Sequence, residues 1–162
     1  MTVQPAMTIE LKLKVEDLNA RYAHALDDDK LEAWPDFFVE QGRYRITTAE
    51  NFEHGLPLGM IYATSRAMLR DRVKALREAN VYEGQRYRHV LGTPLLAGLD
   101  KGIVRARTGF MVARVMRTGE TTLFATGCYE DRVVIGTADA HFAEKTVILD
   151  SRQVDTLLAI PL

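Results

Sequence analysis

The stretch from Ile103 to Arg117, IVRARTGFMVARVMR, alternates almost without a break. Val104, Ala106, Thr108, Phe110 and Val112 fall on one face, and Arg105, Arg107 and Met111 on the other, which is the period-2 pattern of a half-buried strand. A strand this long cannot lie flat: sheets twist, so it must curve, and something must fill the concave side. The same texture holds beyond Asn80, in runs rich in β-branched and aromatic residues broken at Asp100-Lys101-Gly102, at Thr118-Gly119-Glu120 and around Gly136. These runs predict an antiparallel meander.

The N-terminal half supplies the filling. From Thr8 to Asp27, Leu11, Val15, Leu18, Tyr22 and Leu26 recur at helical spacing. Asp29 stands three residues before Glu32, a capping-box arrangement that opens a short second helix carrying Leu31 and Trp34 and interrupted at Pro35. Its buried face is the cluster Trp34, Phe37, Phe38. Gly42 ends the segment, RYRIT reads as a short strand, and ENFEHGLPLG as a loop. A third helix follows, with Met68, Leu69, Val73 and Leu76 as its apolar stripe and Arg66, Arg70, Lys74 and Arg77 as a basic one, read as a solvated face. Helices followed by long curved antiparallel strands make an α+β roll, in which the sheet wraps the helices and closes a cone-shaped cavity. With 162 residues and 47% apolar content the chain fits one domain, residues 1–162.

A net charge of −1 gives no footprint for nucleic acid. The lone Cys128 excludes an intramolecular disulfide and zinc held by paired thiolates, and fits a reducing cytoplasm. The opening MTVQPAMT lacks the charge-then-apolar order of a signal peptide, and no window approaches a membrane span, so a cytoplasmic protein without membrane contact is expected.

Candidates for chemistry are few. The histidines are His24, His54, His89 and His141, and a non-haem iron site needs two of them with a carboxylate on one surface; no pair is spaced for it, and no metal or cofactor site is expected in this chain. Asp27, Asp28 and Asp29 sit at a helix end, where aspartate is expected for its own sake. A cone-shaped roll can be an enzyme in itself, and Tyr22, Asp36, Tyr44 and His89 are the candidates for proton transfer in its cavity. The alternative for the same residues is that Tyr22 packs with its hydroxyl satisfied, Asp36 caps, and His89 hydrogen-bonds across a strand or an interface. Neither GxGxxG nor GxxxxGK[ST] occurs, and Trp34 reads as a core anchor. The closing Leu157, Leu158, Ile160, Pro161 and Leu162 are oddly apolar, so this tail either packs back onto its own domain or is covered by another subunit.

Taken together, WPDFF at 34–38, MLRDRVKALREANVY, RYRHVLGTP, TGFMVARVMRTGETTLFATGCYEDR and VILDSRQVDTLLAIPL resemble the small (beta) subunit of bacterial aromatic-ring-hydroxylating dioxygenases, from about Leu18 to Leu162. WPDFF, NFEHGLPLG, RYRHVLGTP and DTLLAIPL are most similar to the branch acting on aromatic carboxylates, such as terephthalate dioxygenase and salicylate hydroxylase. Gly92-Thr93-Pro94 stands where members acting on hydrocarbons place an Asn. The resemblance implies a cystatin-like fold, also called nuclear transport factor 2-like. It implies a non-catalytic subunit, and a catalytic alpha subunit that carries the Rieske 2Fe-2S cluster and the mononuclear iron. It further implies a beta trimer within an alpha3beta3 hexamer. Arg86, Arg88, His89, Asp150, Arg152, Ile160 and Leu162 are then expected at subunit interfaces. Two other readings stand beside it: a free-standing dehydratase or isomerase using Tyr22, Asp36, Tyr44 and His89, and a dimerising scaffold or small-ligand carrier.

Overall fold

The fold was taken from a computed structural model of the chain, in which residues 5–57, 59–79, 84–152 and 160–162 are described, with side chains from residue 8 onward. Helix α1 (Pro5–Asp27) leads into a 3₁₀ helix (Leu31–Phe37) and strand β1 (Phe38–Thr48); α2 (Ala49–Glu53), β2 (Ile61–Ala63) and α3 (Arg66–Ala79) follow. The rest is strand: β3 (Gln85–Leu91), β4 (Leu95–Asp100), β5 (Ile103–Met116), β6 (Thr121–Ile135) and β7 (Ala140–Leu149). The sheet runs β2-β1-β7-β6-β5-β3, with β4 also paired to β5.

The second half matches the alternation. Val104, Ala106, Thr108, Phe110 and Val112 are buried while Arg105, Arg107 and Met111 face outward. The turn between β4 and β5 has Lys101 at φ 48° and Gly102 at φ 78°, a left-handed pair that suits a tight hairpin and that glycine adopts without strain. Curvature comes from bulges, where one strand carries an extra residue and bends. Register shifts occur at Val112/Ala113 between β5 and β6, at Arg132/Val133 between β6 and β7, and at Phe38/Arg43 between β1 and β7. Strands pack so closely at one point that a Cβ on Gly127 would stand 1.9 Å from the Ile148 carbonyl oxygen. The concave face closes on α1 through Val15, Leu18, Tyr22 and Leu26, all buried.

The first half departs from expectation in several places. The sheet is mixed, because β1 pairs parallel to β7, with Tyr44 opposite Lys145 and Ile46 opposite Val147. RYRIT is the second half of an 11-residue strand that starts at Phe38, so that Gly42 lies within the strand rather than at the end of a helical segment. The expected loop contains α2, and the short edge strand β2 follows it. No capping box forms. The 3₁₀ helix starts after Lys30 with no side-chain cap bond, Asp29 takes φ 58°, and the Asp29 and Glu32 carboxylates both accept from Arg77 on α3. The basic stripe of α3 is therefore no mere solvated face: Arg77 ties it to the 3₁₀ helix, and Arg66 donates to the Phe38 carbonyl. Met68, expected inside, is exposed. Leu157 and Leu158 lie outside the described residues.

Candidate functional site

The interior of the roll is more polar than its apolar lining suggests. On β6, Tyr129, Asp131 and Val133 alternate inward, so Asp131 is committed to the core by its position. On β7, Phe142 points inward opposite Val133; Ala143 is the extra residue of a bulge, and the phase of alternation shifts so that Lys145, opposite Asp131, points inward as well. The two side chains are both 0% exposed, with Lys145 Nζ at 3.1 and 3.3 Å from the Asp131 carboxylate oxygens. The ammonium also lies over three rings, 3.6 Å from the centroid of Tyr129, 4.2 Å from Phe142 and 4.6 Å from Tyr22. Desolvation outweighs the attraction of the pair: burial pushes Asp131 up to about 6 and Lys145 down to about 8, with each charge partly restoring the other.

Next to this pair the tail re-enters. Leu162 is 0% exposed and Ile160 5%. The Leu162 carbonyl oxygen accepts from Tyr22 Oη at 2.7 Å and from Tyr44 Oη at 3.0 Å, while its N–H donates to Tyr44 Oη at 3.0 Å. Trp34 Nε1 donates to Tyr22 Oη at 3.3 Å. Edge-to-face contacts fix the rings around it, with Trp34–Tyr44 centroids 5.0 Å apart and Tyr22–Phe142 5.5 Å apart. Burial raises the Tyr22 and Tyr44 hydroxyls well above the usual phenol range, so both remain donors.

A second buried pair lies towards β3. Asp27, the last residue of α1, accepts from the His89 backbone N–H at 2.9 Å and meets His89 Nδ1 at 2.6 Å. Both side chains are almost fully buried, at 0% for His89 and 2% for Asp27. Arg88, 57% exposed, approaches the same carboxylate at 3.7 Å from outside. His89 Nε2 and Tyr129 Oη have no hydrogen-bond partner among the described residues.

The residues expected to act together divide accordingly. Tyr22 and Tyr44 meet at Leu162. His89 stands apart on Asp27, and Asp36 is on the surface, 3.7 Å from Arg70, so the four do not form one proton-transfer site and Asp36 does not cap. Of the residues expected at subunit interfaces, His89, Ile160 and Leu162 are buried within their own chain. Arg86, Arg88, Asp150 and Arg152 do face outward. Arg86 lines a polar cleft of about 660 Å³ with Asp27, Asp28, Asp29 and Arg117, Asp150 accepts from Thr126 Oγ1 at 3.0 Å, and Arg152 pairs with Glu50 at 2.9 Å. Sequence reasoning missed Asp131, Lys145 and the role of Asp27. Asp131 was accessible in principle, since it shares the inward phase of Tyr129 and Val133.

The convex face of the sheet carries apolar side chains in water. Val90 on β3 is opposite Met111 on β5, Arg88 opposite Ala113, and Ala113 opposite Leu123 on β6. Val90, Met111 and Leu123 are 54%, 47% and 66% exposed. Exposed apolar side chains on neighbouring strands beside an arginine are the composition of a protein interface.

Among the described residues, no three His, Cys, Asp or Glu side chains converge to hold a metal ion. A Rieske cluster requires two Cys and two His, and Cys128 is the only thiol of the sequence, so the residues of this chain do not fit that group.

Comparison with known proteins places these features. The family model described as ring hydroxylating beta subunit matches residues 21–156. The chain is 43% identical, over 93% of its own length and 98% of the relative's, to a terephthalate 1,2-dioxygenase terminal oxygenase component subunit beta 1 from Comamonas sp. It is 38% identical, over 90% of each chain, to the anthranilate 1,2-dioxygenase small subunit of Burkholderia cepacia. A solved beta subunit described as belonging to an aromatic-ring-hydroxylating dioxygenase from Novosphingobium aromaticivorans superposes with a TM-score of 0.88 at 34% identity, covering 96% of this chain and 99% of that one.

Proposed function

The chain belongs to the ring hydroxylating beta subunit family, and from that premise we propose that it is the structural small subunit of the terminal oxygenase component of a Rieske-type dioxygenase acting on an aromatic carboxylate. The observation that carries this reading is the 43% identity, across 93% of the chain, to a subunit whose enzyme is named for terephthalate. In this reading residues 1–162 form one domain, and the Rieske 2Fe-2S cluster and mononuclear iron sit on a partner alpha subunit. Three beta subunits form the base of an alpha3beta3 hexamer in the cytoplasm. The donor set of the chain supports this division, since its single thiol cannot ligate the cluster. Among the described residues, no helix is long and apolar enough to cross a membrane.

The outward side chains Arg86, Arg88, Asp150 and Arg152 are the proposed polar contacts, and Val90, Met111 and Leu123 the apolar ones. Chemistry in the assembly then depends on this chain for the placement of its partner rather than for a reacting group. Co-expression with the alpha subunit tests the proposal: the two should co-purify in equal amounts, and turnover of an aromatic carboxylate should follow the assembled complex. A chain that stays monomeric alone and does not associate with the alpha subunit, while the alpha subunit turns over unaided, would refute it.

A further inference from the structure

The seat of Leu162 is built like a ligand site. Its floor is aromatic, with Trp34, Phe38, Tyr44 and Phe142 all 0% exposed, and two hydroxyls, from Tyr22 and Tyr44, converge on one acyl oxygen at 2.7 and 3.0 Å. Double donation to a single oxygen suits a carbonyl and suits a carboxylate better, because charge strengthens each bond. Two basic side chains lie beside the seat, and the charge of one of them, Lys145, is already paired with Asp131. Lys145 Nζ lies 4.6 Å from the centroid of the Tyr22 ring. On α3 the Arg72 guanidinium acts on the Tyr44 hydroxyl electrostatically, and its Nε is buried with no hydrogen-bond partner among the described residues. Apolar walls with a few convergent polar groups are the usual make-up of a small-molecule pocket.

We infer that the pocket of Tyr22, Trp34 and Tyr44 is a binding site for a small aromatic carboxylic acid that the chain's own Ile160–Leu162 segment occupies as a plug, its acyl oxygen standing where the ligand carboxylate would lie. The inference is independent of assembly, since every group in it belongs to the interior of this chain. Occupation in cis gives the plug a high effective concentration, so a free acid competes poorly while the segment is seated. The plug therefore keeps an aromatic pocket closed in a fold whose interior retains buried acid and base groups.

Trp34 is the only tryptophan and touches the site through Tyr22, which provides the readout. The test compares the full chain, a variant lacking residues 160–162, and the full-length Leu162→Ala variant. Benzoate binding is followed by equilibrium dialysis and by Trp34 fluorescence, with circular dichroism to confirm folding. The deletion variant is expected to bind one benzoate per chain at least about tenfold more tightly than the full chain, as unplugging a site requires. Adding Tyr22→Phe and Tyr44→Phe to it should weaken that binding by about tenfold or more, the effect of removing hydrogen bonds to a charged group. If the deletion variant folds and binds no benzoate, or binds no better than the full chain, the inference is wrong. Should the deletion fail to fold, Leu162→Ala decides: increased acrylamide quenching of Trp34 together with benzoate binding above the full chain supports the plug, and unchanged quenching or binding overturns it.

Discussion

Replacing Lys145 with methionine removes the cation from a site where its partner cannot reach water. Asp131 is 0% exposed, so the variant must bury it either as an unpaired carboxylate or as a neutral acid. Breaking a buried pair from one side costs about 3–5 kcal/mol. The neutral route gives a similar figure: protonating a carboxyl of ordinary pKa 3.8 at pH 7 costs about 4 kcal/mol, at about 1.4 kcal/mol per unit. Loss of the three ring contacts is partly offset by the methionine sulfur, which is itself favourable near aromatic edges. The expected cost is therefore about 4 kcal/mol at pH 7, falling to about 3 kcal/mol at pH 5.5, where the variant binds its proton about 2 kcal/mol more easily while the wild type, with Asp131 at about 6, gains about 1 kcal/mol as well.

The wild-type profile carries the matching signs. Asp131 is raised to about 6 in the fold, so the native state holds the extra proton and stability falls as pH rises from about 4 to 6; Lys145 is lowered to about 8, so stability rises again from about 8 to 10.5. In the double variant Lys145→Met with Asp131→Val no charge is stranded, and stability should return to within about 1–2 kcal/mol of wild type or exceed it. Urea unfolding, followed by Trp34 emission and by far-ultraviolet circular dichroism, measures all four corners of the cycle at both pH values. A single variant that loses less than about 1 kcal/mol at pH 7, or a double variant whose loss equals the sum of the singles, would refute the reasoning.

Asp27→Asn should destabilise the chain by about 1–3 kcal/mol, since it weakens two bonds to His89 in a buried place, and thermal unfolding measures it. His89→Gln should leave turnover per assembled complex unchanged, read as specific activity after gel filtration; lost turnover in an intact complex would make His89 a reacting group. Arg77→Ala should cost about 1 kcal/mol, because its partners are solvent-exposed, and the loss should shrink in high salt. Hydrogen bonding from Arg77 holds Glu32 down to about 2. That contribution is thus present above pH 4.5 and fades as pH falls towards 2, which an acid titration of both proteins will show. Leu123→Glu on the convex face should leave the melting temperature of the isolated chain unchanged within about 2 °C, yet reduce assembly with the alpha subunit, as read by light scattering.

How far these features can be read from sequence depends on distance along the chain. Alternation in β5 is local and strict, so its inward and outward residues follow directly, and the hairpin at Lys101-Gly102 announces itself. The parallel pairing of β1 with β7 has no local mark, because the two strands meet only in the folded sheet. Lys145 was hidden for a sharper reason. Counting by twos from Phe142 puts Glu144 inside and Lys145 outside, and only the bulge at Ala143 reverses them. Asp29 illustrates the opposite case, a correct local signal overridden: Arg77 arrives from 48 residues away and takes the carboxylate that the helix end would have used. Asp27 gave no sign of His89, which lies 62 residues further on. The apolar tail left two alternatives open, and in the single chain Ile160 and Leu162 are buried.

The parallel contact between β1 and β7 also orders events in time. A strand that pairs with its immediate successor can dock within microseconds of emerging, but β1 has only the short β2 nearby and must otherwise wait for β7, with Tyr44 opposite Lys145, before its second edge is closed. During synthesis at about 5–20 residues per second, that interval leaves the aromatic face of Phe38 and Tyr44 without its final cover for several seconds. The nascent chain is therefore at its most aggregation-prone in the middle of translation. Slower decoding after α3 should reduce the yield of native protein more than the same slowing before β1, a difference that synonymous-codon variants will reveal.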